Sequence, residues 1–148
     1  MTIDLEIQRA TDSDTVPADA EFHQWVTAAL ESRPPCQLTI RIVDREEAAA
    51  LNARYRGREG PTNVLSFPAE LPAVVDLPLL GDIVICAPVV RAEAMEQEKP
   101  ETAHWAHLVI HGVLHLLGMD HQEESDARDM EAREISLLSG LGYPDPYL

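Results

Sequence analysis

Basic side chains are scarce in this chain. Its 148 residues carry 11 Lys plus Arg against 26 Asp plus Glu, a formal net charge of -15. Nucleic-acid affinity rests heavily on Lys and Arg, so a broad phosphate-binding surface is excluded and any polyanion site must be local. Cysteine is also scarce. Cys36 and Cys86 stand fifty residues apart with no C-x-x-C pattern, which reads as two buried small apolar residues of a reducing compartment rather than a disulfide. No apolar run is long enough to span a bilayer. The N-terminal MTIDLEIQRATDSD has neither the basic start nor the apolar stretch of a signal peptide, so a cytoplasmic protein with no membrane partner is expected. Internal repeats, low-complexity tracts and dividing linkers are absent too, and the length suits one domain with its own core. A single domain over residues 1–148 is expected.

The apolar pattern outlines the elements. IDLEIQ alternates, with Ile3, Leu5 and Ile7 on one face, and QLTIRIV repeats the pattern with Leu38, Ile40 and Ile42. Two more short strands, NVLSF and DIVIC, fit within a Gly- and Pro-rich stretch, with a loop or irregular edge from Pro68 to Leu80 between them. Helical spacing of Phe22, Trp25, Val26, Ala29 and Leu30 predicts a helix over 18–32, ended by Pro34-Pro35. Asp44 suits the N-cap of a short helix closed by Gly57. A helix follows Pro88. Another is predicted from Glu101 to Leu117, with Pro100 at its first turn and Gly118 as a left-handed stop. The last runs from about Glu123 to Ser139. Its first part, EESDARDMEARE, has six acids and two arginines and reads as a solvated face. The mixture of helices and strands suggests α+β or α/β.

Histidine is what the chain has in concentration. HGVLHLLGMDH, residues 111–121, holds His111, His115 and His121. On a helix the first two project from one face. Gly118 then lets the chain turn back so that His121 can supply a third nitrogen. Three neutral imidazoles with an open fourth position are how a catalytic zinc is usually held, although imidazole also suits nickel, copper or iron. His104 lies about two turns upstream, ~10.5 Å along the axis, too far for the same ion. It and His107 are read as structural or as supports for ligands, and His23 as an ordinary helix residue. Asp120 either orients a ligand histidine or caps the turn.

The spacing H-x3-H-x2-G-x2-H matches the long zinc motif of metzincin proteases, in which Glu follows the first histidine as general base. Here that residue is Gly112, so the ligand scaffold lacks the peptidase base. A phosphodiester makes a different demand. Negative charge gathers on phosphoryl oxygens, where a metal acts as Lewis acid and an arginine fork can clamp the others. Arg41, Arg45, Arg54, Arg56 and Arg58 fall within eighteen positions. Alone, the RYRGR cluster reads as a solvated helix end. Arg56 before Gly57 could aim a guanidinium into a cleft.

YRGREGPTNVLSFP, then LGDIVI, then HGVLHLLGMDH together resemble the YbeY family of bacterial endoribonucleases, in that family's order and over residues 51–121. Met119 stands where the family often has Tyr. The resemblance implies an α+β fold: a small mixed four-stranded sheet, about five helices, and a zincin-like metal site on a helix and the turn after it. It implies a single-strand-specific, metal-dependent endoribonuclease maturing the 3′ end of small-subunit ribosomal RNA and acting in ribosome quality control. It assigns one zinc ion per chain to His111, His115 and His121, a functional role to Arg56, and a cleft-lining strand to Ser66. Ribosomal RNA is the expected substrate. Ribosome or small-subunit proteins, and an assembly GTPase, are the expected partners, since so acidic a chain should bind free RNA weakly and with strong salt dependence. Two alternatives accompany this reading: a metal-dependent hydrolase of a peptide or small phosphoester, and a zinc-stabilised ribosome-assembly factor without catalysis.

Overall fold

The structure is a computed structural model and describes residues 3–31, 35–69, 79–119 and 124–148. Four strands and five helices occur among these residues. In chain order they are β1 (Ile3–Ala10), α1 (Asp19–Leu30), β2 (Cys36–Val43), α2 (Arg45–Arg56), β3 (Val64–Pro68), β4 (Leu79–Cys86), α3 (Ala87–Glu96), α4 (Glu101–Leu116) and α5 (Glu124–Gly140). The sheet order is β1-β2-β4-β3. β1, β2 and β4 run parallel, and β3 pairs antiparallel with β4 as an edge. The fold is therefore α+β with a mixed sheet, as the motif resemblance implies.

Alternation along the strands divides the core. Leu38, Ile40 and Ile42 of β2, with Ile83 and Ile85 of β4, are buried against α1 and α4. Val43, Val84 and Cys86, with Leu65 of β3, face the other way and pack with Ala48 and Leu51 of α2. On the larger side Phe22 bridges two helices. Its ring meets Trp25 edge-on at 5.6 Å and Trp105 of α4 at 5.7 Å, an arrangement worth about 0.5–1.5 kcal/mol per pair beyond burial. Both cysteines are buried.

The ends of the elements show where local rules hold and where they yield. Gly57 closes α2 in the left-handed conformation, φ 64°, and Gly118 adopts φ 98° just beyond α4, both as expected. Asp44 occupies the N-cap position of α2, but its carboxylate accepts from the Thr11 hydroxyl and the Asp12 amide instead of capping the helix. Pro100 is the residue before α4, one place outside the first turn, while Pro88 sits inside the first turn of α3. Leu79 and Leu80, expected in a loop, already belong to β4. Pro68, at the other end of that expected loop, belongs to β3, and residues 70–78 lie outside the described residues, as do Pro34, Asp120 and His121.

Candidate active site

α4 is apolar on the face that meets the sheet, where Trp105, Val109, Ile110 and Val113 are buried. Its approach is set by Gly112. A Cβ there would lie 3.0 Å from Ile83 Cγ2 and 3.3 Å from Ser66 Oγ, so any side chain would force these neighbours to give by a few tenths of an ångström. Ser66 uses the approach to donate a hydrogen bond to the Gly112 carbonyl at 3.1 Å. Ser66 thus joins β3 to the histidine helix.

His111 and His115 are one turn apart on α4, with ring centroids 4.7 Å apart. The structure therefore brings two of the three expected ligands together. The third, His121, lies outside the described residues, and among those described no group of three or more His, Cys, Asp or Glu side chains is arranged to hold a metal ion. The donor chemistry of the pair suits a borderline metal such as zinc.

Behind the pair lies Glu134 of α5, fully buried. Its Oε1 accepts from His111 Nδ1 at 2.9 Å and from His107 Nε2 at 3.0 Å. Its Oε2 accepts from the Tyr147 hydroxyl at 2.8 Å. Burial alone would push this carboxyl up, but the bonds and charges of the two imidazoles outweigh it and lower the pKa to about 2. The same surroundings, burial first and then the Glu134 charge, push the Tyr147 hydroxyl up. The solvated face expected of EESDARDMEARE is thus corrected at Glu134, its last residue. The signal was present: Met130, Glu134, Leu137 and Leu138 follow helical spacing, and the other three are buried. Tyr147, from the irregular tail, carried no such signal.

The remaining histidines fall as expected. His104 is buried and donates from Nε2 to Glu93 Oε1 at 2.9 Å. Asn63 donates to the same Oε1 at 3.1 Å. Burial raises the Glu93 pKa, but these two hydrogen bonds win and hold it below the usual carboxylate value. His23 is exposed on α1 near Thr27.

Arg56 is the exposed last residue of α2, and α2 packs on the sheet face opposite α4. Both helices nevertheless end at the same end of β3. Tyr55 meets Phe67 edge-on at 5.3 Å, while Leu116 lies beside Gly81, whose strand partner is Pro68. The five-arginine concentration disperses in space. Arg41 is held by Glu47 at 2.6 and 3.0 Å and by Gln8 at 3.0 Å, and Arg45 begins the helix that Arg54 and Arg56 finish.

Comparison with known proteins agrees with these features. The family model described as "Endoribonuclease YbeY" matches residues 6–142. A protein of that name from Nitrosococcus oceani is 57% identical over 150 residues, covering 99% of this chain and 98% of its own. Another, from Methylococcus capsulatus, is 61% identical over 145 residues, covering 98% and 95%. The solution structure of a Thermotoga maritima protein superposes with a TM-score of 0.62 at 24% identity, covering 90% of this chain and 87% of that one, a likeness of fold. The α4 histidines, the PTNVLSFP strand and the full-length match lead to one assignment: the chain belongs to the YbeY endoribonuclease family.

Proposed function

We propose that residues 1–148 form one cytoplasmic, metal-dependent domain that cuts single-stranded RNA and acts in 3′ maturation of small-subunit ribosomal RNA and in ribosome quality control. His111, His115 and His121 would hold one zinc ion. The observation that carries this reading is the His111–His115 pair on one helix face, backed by a buried carboxylate, in a chain of this family.

When bound, the metal would supply Lewis acidity toward a phosphoryl oxygen. The protein's own groups do the rest. Glu134 accepts from His111 Nδ1 and fixes the orientation of that ring. Ser66 fixes the distance between the histidine helix and edge strand β3. Arg56, at the same end of β3 but on its other side, offers a planar fork to a phosphate of a strand crossing that edge. Gly112 weighs against a peptidase, because it lacks the carboxylate base and any side chain there would begin tight against Ile83 and Ser66. The mainly acidic surface agrees with delivery of RNA by the ribosome, its small-subunit proteins or an assembly GTPase.

Metal content of the purified protein, measured by elemental mass spectrometry beside His115→Ala, tests the centre of the proposal. Near one zinc per chain, lost in the variant, is expected. No metal in the unaltered protein even after zinc is offered would remove the proposed chemistry. Arg56→Ala should keep its zinc and fold yet lose most cleavage of single-stranded RNA. Full activity in that variant would take Arg56 out of the site.

A further inference from the structure

We infer that Glu134 positions His111 for metal binding, and that Tyr147 holds Glu134 in the orientation that does so. This rests on the metal-dependent reading above. A fully buried carboxylate is costly unless its oxygens are satisfied. Here both oxygens are engaged, Oε1 by His111 and His107 and Oε2 by Tyr147. The neighbouring positions on the same stripe of α5, Met130, Leu137 and Leu138, are apolar and buried. Packing alone would therefore take an apolar residue at 134, and the carboxylate has another role.

That role follows from donor and acceptor logic. An ionised carboxylate can only accept, so the His111 nitrogen that faces it, Nδ1 at 2.9 Å, must carry a proton. Nε2 is then the ring nitrogen offered to a metal, which it binds when it carries no proton. Loss of the acceptor removes the bond that fixes Nδ1–H and the turn of the ring. A carboxylate behind a ligand histidine also makes that histidine a stronger donor. Tyr147 completes the arrangement. Its hydroxyl occupies Oε2, which turns Oε1 toward the two histidines, and its ring meets His107 edge-on at 5.4 Å. Glu134 and Tyr147 are positioning residues in this scheme, and neither needs to touch RNA.

The test uses the metal-free full chain. Zinc affinity is measured by competition with a chromogenic chelator, and the His111 ring nitrogens are observed by nitrogen-15 NMR. The unaltered protein should show His111 carrying its proton on Nδ1. Glu134→Leu, which keeps an apolar stripe but removes the acceptor, should bind zinc about 10- to 100-fold more weakly and lose that tautomer preference. Glu134→Gln retains one acceptor oxygen and should recover part of both. Tyr147→Phe, altered at a ring 46% exposed, should fold normally and weaken zinc binding by a smaller factor. An unprotonated His111 Nδ1 in the unaltered protein would overturn the inference without any variant, even if the Glu134 variants do not fold. Equal affinity and tautomer in all four proteins would overturn it while leaving the metal site standing. Absence of zinc binding by the unaltered protein would instead remove the metal-dependent reading, and this inference with it.

Discussion

Gly112 shows how one missing side chain constrains chemistry. The space its Cβ would need is filled by Ile83 and Ser66, so the position that carries a catalytic glutamate in metzincins here serves as a contact between helix and sheet. Gly112→Glu should lower the unfolding free energy by about 1–3 kcal/mol or more through overpacking. The intrinsic helix gain over glycine, about 1 kcal/mol or less, offsets only part of this. The urea midpoint measures it, and a variant as stable as the parent that also cleaved peptides would contradict the packing argument. The sequence made the absent glutamate visible. It could not make Ile83 visible as the reason, because nothing local links positions 83 and 112. Glu134 is the reverse case, since its place on the Met130–Leu137–Leu138 stripe was legible and its charge argued falsely for solvent.

Among the elements, α3, α4 and the segment entering β3 are fastened by one carboxylate. Glu93 accepts from His104 and Asn63, and Asn63 also takes the β3 backbone through the Val64 amide at 2.7 Å. Because the folded Glu93 pKa lies below its ordinary value, its contribution is full above that ordinary value and is lost as pH falls through the folded one. Glu93→Gln should therefore be less stable than the parent at neutral pH, and the gap should close on acidification. Urea midpoints followed from neutral pH into the acid range check this; a gap that stayed constant or widened would reject it. Strand alternation and helix periodicity were readable because burial imposes periods of two and 3.6 on the chain. The order β1-β2-β4-β3 and the Asp44 contact with Thr11 were not, since pairing between distant segments leaves no period.

For the molecule as a whole, charge sets the terms of RNA binding. Arg41 is paired with Glu47, and Arg54, Arg56 and Arg58 are exposed cations at and just after the end of α2. Three contacts to a single strand predict a slope of log affinity against log salt of about -2, at about 0.7 per phosphate. Arg56→Ala should make it shallower by about 0.7. A slope near zero, or one unaffected by Arg56→Ala, would show that RNA enters elsewhere.

The two buried cysteines have a practical corollary. Burial pushes the Cys86 thiol up, away from its reactive thiolate form, and Cys36 is equally enclosed. The folded surface is accordingly a chemical blank toward maleimides. A cysteine introduced at exposed Arg58 would be its sole ready thiol, so a fluorophore or spin label could be seated beside the proposed RNA path without first stripping out native residues.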